Sequence, residues 1–135
     1  MLCWLLAEPR ATEVRAPLAS AELVLTSSLT IIECERVLIR AVATGLVPEA
    51  AAAERRAVLA RAASHWVVFD VDGEAAERSR RPFPAEPIRT LDAIHLATAV
   101  LGRTLVPGLD FLSLDGRCRR SAEQMGFRLL PGVGA

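Results

Sequence analysis

Apolar and polar residues follow two patterns along this chain, one typical of helices and one typical of buried strands. Apolar residues recur at helical spacing between Ser28 and Thr44, which predicts a helix with Ser27 or Ser28 as its cap. A second helical pattern begins at Thr90, the predicted cap of that helix. His65–Val71 is instead a nearly continuous apolar run, which predicts a strand covered on both faces.

Shorter patterns predict further helices and strands in alternation, and the helix from Thr90 is predicted to end at about Gly102. The other predicted helices are the tail of one at Leu2–Ala7, then Thr12–Leu18, Glu49–Ser64, Glu74–Arg80 and Arg117–Gly126. The other predicted strands are Glu22–Thr26, Leu105–Val106, Phe111–Leu114 and Phe127–Leu130. This alternation predicts an α/β fold, a three-layer α/β/α sandwich with a mainly parallel sheet. In such sheets, binding sites form outside the carboxyl ends of the strands.

The composition narrows the range of functions. The chain has 135 residues, 52% of them hydrophobic, which suits one domain with a proper core. Its 16 basic residues are all arginine and are balanced by 16 acidic residues, so any contact with nucleic acid would be local. The absence of lysine excludes a P-loop and a Schiff-base lysine, and it disfavours a receiver domain or a small-molecule phosphatase.

The cysteines and the hydropathy indicate the compartment. Cys3, Cys34 and Cys118 are far apart and show neither metal-ligand spacing nor a disulfide pattern. They indicate thiols in a reducing cytosol, so we expect a cytoplasmic protein. No apolar run reaches the length of a membrane span, so we expect no membrane association.

Three carboxylates fall where an α/β fold builds its sites. Glu33 lies in the helix after the first predicted strand, Asp92 lies in the first turn of its helix, and Asp115 follows the Phe111–Leu114 strand. Singly, each has a structural explanation: an exposed helix residue, a partner for the helix dipole, or an Asp-Gly turn. Together, converging carboxylates would repel one another unless a hard cation such as Mg²⁺ or Mn²⁺ neutralised them. That arrangement suits phosphodiester hydrolysis by a water that the metal activates.

The segments around these carboxylates resemble, in order and spacing, the PIN domain, and in particular the VapC toxins of bacterial toxin–antitoxin pairs. The three segments are Ser28–Arg36, Arg89–Ala99 and Phe111–Asp115. The resemblance runs from Met1 to about Leu130. It implies a Mg²⁺-dependent endoribonuclease that acts on RNA, forms a homodimer and is silenced by a cognate antitoxin. By matched position, Glu33, Asp92 and Asp115 would be its catalytic residues and metal ligands.

The chain departs from that family at its start. The family opens with a strand that ends in Leu-Asp-Thr/Ser-Ser-Ala, whose Asp is a principal metal ligand, whereas Leu5–Pro9 resembles the helix that follows. We therefore expect a single PIN-like domain over residues 1–135 that lacks this strand, with a slot between its two neighbours. Either translation begins upstream of Met1, or the gene is a degraded copy. The alternative function is thus a catalytically inactive PIN domain that binds an antitoxin or another protein.

Other polar residues have two interpretations each. His95 lies one helical turn after Asp92 and could act as a base, or it could be a packed histidine with a hydrogen bond. Ser113 would have at most a supporting role beside the acidic site. Several arginines could hold RNA phosphates or could simply be solvated: Arg36, Arg40, Arg89, Arg117, Arg119 and Arg120.

Overall fold

Helices and short parallel strands alternate in the computed structural model, which describes residue 6 and residues 8–132. The helices there are α1 (Ala11–Ser20), α2 (Ser28–Ala43), α3 (Glu49–Ala63), α4 (Gly73–Ser79), α5 (Thr90–Leu105) and α6 (Gly116–Gln124). The strands there are β1 (Leu25–Ser27), β2 (Val67–Phe69), β3 (Phe111–Leu112) and β4 (Leu129–Leu130). The predicted helix tail at Leu2–Ala7 lies, apart from residue 6, outside the described residues.

The strands pair in parallel, as predicted for an α/β fold. Within the described part of the chain they form two separate pairs, β1 with β2 and β3 with β4. Thr26 pairs with Val68 in the first, and Phe111 pairs with Leu129 in the second. The observed helices and parallel strands are consistent with the predicted three-layer α/β/α sandwich.

The helix after β1 begins where the sequence predicts. The Ser27 hydroxyl accepts a hydrogen bond from the backbone N–H of Leu29 at 3.1 Å, so Ser27 is the cap of α2. Gly45 follows the end of α2 with a φ of +69°, a backbone conformation that costs glycine least. These two local signals explain why both boundaries of α2 could be predicted.

The prediction that α5 ends near Gly102 was wrong, because the helix continues to Leu105 and no strand forms at Leu105–Val106. A Cβ atom built at Gly102 would lie 2.9 Å from the Leu25 side chain, closer than real Cβ contacts come. Gly102 therefore lets α5 approach β1 closely rather than ending the helix.

The predicted strand at His65–Val71 was also too long and too buried. Only Val67–Phe69 is a strand, and Val67 and Val68 are 43% and 39% exposed. An apolar run reports the polarity of the side chains and cannot show which faces other elements cover. The described residues leave much of this strand open.

The larger apolar cluster joins α5, α6 and the β3–β4 pair. The Phe111 and Phe127 rings lie 5.9 Å apart between centroids, and Leu96 and Ala122 are fully buried in the same cluster. Ala93 and Cys118, near the first turns of α5 and α6, also belong to it. This packing brings the amino-terminal ends of α5 and α6 close together.

A smaller cluster joins α2 to α3 through Cys34 and Leu59, with Ile31 and Trp66 packed against it. The helix α4 also packs on α5. None of the helices in the described residues is long and apolar enough to cross a membrane.

Candidate metal centre

Asp115 begins α6 as its capping residue. Its Oδ1 accepts hydrogen bonds from the backbone N–H groups of Arg117 and Cys118, each at 2.9 Å. The bond from Cys118 and then that from Arg117 lower the pKa of the Asp115 carboxyl, so the group is ionised at neutral pH. The cap occupies Oδ1, whereas Oδ2 is the oxygen that faces the Arg89 guanidinium.

The turn that carries Asp115 is tied to both strands of its sheet. The Asp115 backbone N–H donates to the Ser113 hydroxyl at 3.1 Å, which gives Ser113 the supporting role considered for it. The Arg119 guanidinium donates to the carbonyl oxygens of Ser113, Leu130 and Pro131 at 2.8 to 2.9 Å. These three bonds commit Arg119 to the protein backbone rather than to RNA phosphates.

Asp92 lies in the first turn of α5, with its side chain 22% exposed. The helix begins at Thr90, as predicted, but Thr90 is not its cap. The capping position is occupied by Arg89, and its side chain makes no capping hydrogen bond. The positive end of the helix dipole therefore faces the Asp92 carboxylate without a side-chain cap.

Asp92 and Asp115 converge, together with Cys118. One ligand atom from each of these three residues lies within 4.8 Å of the other two. Burial, followed by the charges of Asp92 and Asp115, raises the pKa of the Cys118 thiol to about 12. Cys118 is not one of the predicted site residues. The signal that could have found it is its position three residues after Asp115, where a cap receives an N–H bond.

This group suits one divalent cation. Mg²⁺ binds oxygen ligands at about 2.0–2.1 Å, so two oxygens on one ion are at most about 4.2 Å apart. Separations within 4.8 Å thus need only small side-chain rotations. A hard cation prefers the Asp92 and Asp115 oxygens over the thiol, and waters commonly complete its coordination. Both carboxylates also lie at helix amino termini, which reduces the cost of bringing two negative charges together.

Glu33, the third predicted acidic residue, has a different partner. Its Oε2 lies 2.7 Å from Nε2 of His95, and the two side chains are 26% and 25% exposed. Glu33 is outside the Asp92–Asp115–Cys118 group, within the part of the chain that the structure describes. His95 is three residues along α5 from Asp92, so this pair lies one helical turn from the group.

Among the residues that the structure describes, Arg89 has ion-pair contacts with both aspartates. Its Nε lies 3.5 Å from Oδ2 of Asp92, and its Nη2 lies 3.9 Å from Oδ2 of Asp115. The Arg89 side chain is 70% exposed. The contacts are long and open to solvent, so they are weak ion pairs.

Comparison with known proteins identifies a family. The family model described as PIN domain matches residues 1–123, which is most of the 135-residue chain. A search of curated proteins found no match. The matched region includes Glu33, Asp92, Asp115 and Cys118.

Proposed function

Because the chain belongs to the PIN-domain family, we propose that it is a Mg²⁺-dependent endoribonuclease and the toxin of a VapC-like toxin–antitoxin pair. The family confirms the predicted α/β fold and indicates a nuclease, which is a hydrolase. The proposal adds RNA as the substrate, Mg²⁺ (or Mn²⁺) as the cation, and a role for each acidic residue.

The observation that carries the proposal is the convergence of Asp92 and Asp115 at the starts of α5 and α6. Two carboxylates this close attract a hard divalent cation and would hold it by one oxygen each. A cation held there would lower the pKa of a bound water and neutralise charge on the phosphate. Asp115 would keep Oδ1 in its cap and offer Oδ2.

Glu33 would complete the acidic site from α2. Its bond with His95 uses Oε2, so Oε1 is the oxygen that remains for a water at the site. The pair also joins α2 to α5, the helix that carries Asp92, and would thus hold Glu33 in place relative to Asp92. Glu33 would thus orient a water rather than replace either aspartate as a ligand.

The remaining parts of the proposal concern the assembly. We propose that residues 1–135 are one domain that acts as a homodimer and binds a cognate antitoxin. Large apolar side chains are exposed in the described part of the chain, among them Leu46 at 69%, Leu105 at 68% and Ile32 at 56%, and a partner that covered them would remove apolar surface from water. Light scattering of the purified chain, alone and with the antitoxin, would test both contacts.

The test of the enzyme uses residues 1–135 and a mixed RNA substrate. We expect cleavage with Mg²⁺ or Mn²⁺, its loss in EDTA, and a loss of at least about 100-fold in Asp92→Asn and Asp115→Asn. Asp110→Asn is the matched control, because Asp110 pairs with Arg128 and lies before β3, at the other end of that strand. Equal cleavage by Asp92→Asn and the original chain would refute the metal role of Asp92. No cleavage by a folded chain that binds Mn²⁺ would favour the inactive binding module.

A further inference from the structure

Arg89 bridges the two carboxylates that the proposed function assigns to the cation. Its Nε faces Asp92 and its Nη2 faces Asp115, so one guanidinium contacts both charges. A guanidinium and a divalent cation that neutralise the same oxygens repel each other. Cation binding and the Arg89 contacts should therefore compete.

The backbone before α5 holds Arg89 in this place. The Glu86 carboxylate accepts hydrogen bonds from the backbone N–H groups of Phe83 and Ile88, at 3.0 and 2.5 Å. These bonds lower the pKa of the Glu86 carboxyl and fix the turn that precedes Arg89. The Arg89 side chain is 70% exposed, so it has room to move away from the aspartates without a change in that turn.

An arginine displaced from this pair would still lie at the edge of the site. A guanidinium matches a phosphate with two parallel N–H bonds, and a partly exposed one can meet the substrate without a large desolvation cost. The Arg119 guanidinium is bound to backbone carbonyl oxygens. Arg128 pairs with Asp110, and these two residues precede β4 and β3, at the end of the strand pair opposite to Asp115. Arg89 thus differs from both in being held only by weak contacts beside the acidic group.

We propose that Arg89 exchanges partners: it leaves Asp92 and Asp115 when the cation binds, and it then binds an RNA phosphate adjacent to the scissile one. This inference rests on the proposed function, because it takes RNA as the substrate. The arginine acts as a phosphate-binding residue and lowers cation affinity in the absence of RNA.

The first test reads cation binding without RNA. Mn²⁺ affinity would be measured by electron paramagnetic resonance for the original chain, Arg89→Gln, Arg89→Lys and the control Arg128→Gln. Arg128 is matched to Arg89, since its side chain is 76% exposed and pairs with an aspartate. We expect Arg89→Gln to bind Mn²⁺ about 2- to 5-fold more tightly, the range set by losing weak exposed ion pairs. Arg128→Gln and Arg89→Lys should stay near the original value.

The second test reads the phosphate contact from cleavage kinetics. We expect Arg89→Gln to raise KM for RNA by about 10-fold or more while kcat stays within about 3-fold of the original value. The KM of Arg89→Lys should lie between those of Arg89→Gln and the original chain. The exchange would be overturned if Arg89→Gln had the KM of the original chain, or if it bound Mn²⁺ with the same affinity as the original chain. If the original chain binds Mn²⁺ but cleaves no RNA, the proposed function fails. The role of Arg89 can then still be tested by the fluorescence anisotropy of labelled RNA in Mn²⁺, which compares RNA binding by the original chain and by Arg89→Gln. If the original chain binds no Mn²⁺ at all, both proposals fail.

Discussion

Nε2 of His95 lies 2.7 Å from Oε2 of Glu33, although the two residues are 62 positions apart in the chain. The contact joins α5 to α2 and lies one turn from Asp92. It agrees with the interpretation of His95 as a packed histidine with a hydrogen bond, and it places that bond on a residue of the predicted acidic site. The imidazole N–H can donate to the carboxylate whenever Nε2 carries the proton.

The first prediction separates the hydrogen bond from the packing of His95. Replacing His95 by Leu should lower the free energy of unfolding by about 1–2 kcal/mol, because Glu33 is left half-buried without its donor. His95→Gln keeps an N–H near the position of Nε2 and should recover about half of that loss. Urea denaturation in EDTA measures both. A leucine variant as stable as the original chain would contradict the role of the bond.

The second prediction separates the two roles of Asp115. Asp115→Ala should cost about 1 kcal/mol of unfolding free energy, because the backbone N–H groups of Arg117 and Cys118 lose their acceptor. Asp115→Asn keeps an oxygen for the cap and should cost only a few tenths of that, while Mn²⁺ affinity falls in both variants. Urea denaturation and Mn²⁺ titration provide the two readings. Similar stability losses in both variants would argue against the cap.

The third prediction concerns the stability of the folded chain at low pH. The pKa of Asp115 is lowered in the folded protein, chiefly by the Cys118 N–H, so the ionised carboxylate stabilises the fold. That contribution is fully present above the ordinary carboxyl pKa of about 3.9 and is lost as pH falls through the lower folded value. The stability difference between the original chain and Asp115→Ala should therefore narrow below about pH 4. A difference that stays constant from pH 6 to pH 3 in urea titrations would contradict this sign.

The fourth prediction tests the metal centre without RNA. A cation that binds only the folded chain adds about 2.7 kcal/mol of stability at 100 times its Kd, which would raise Tm by about 10 °C for a chain of this size. Mn²⁺ should produce that rise and EDTA should reverse it. Asp92→Asn should lose most of it, and the control Asp110→Asn should keep it. An equal rise in both variants would place the cation elsewhere.

The starts of the helices that carry the acidic residues could be predicted from nearby residues. Ser27 caps α2 and Asp115 caps α6 by bonds to backbone N–H groups two or three residues further on, whereas α5 begins at the predicted Thr90 without a side-chain cap. The α/β class follows from the alternation of helices and strands in the same way. The PIN-domain match then agrees with motifs that were recognised from three short segments.

The partners of those positions could not be predicted, because they depend on packing between distant elements. His95 meets Glu33 across 62 residues, and Cys118 joins Asp92 only once α5 and α6 are packed together. Gly102 resembled a helix end, since a sequence cannot show that Leu25 lies against it. The roles of Glu33, Asp92 and Asp115 in catalysis stay predictions.

The three carbonyl bonds of Arg119 have a consequence for motion. They join the ends of β3 and β4 to α6, so the turn that carries Asp115 has little freedom to fluctuate by itself. A change in the distance between the backbones of Asp92 and Asp115 then requires α5 to move against α6, a collective movement that is typically slower than loop motion. The rate at which the backbones of Asp92 and Asp115 move apart and together would accordingly be the rate at which two packed helices move.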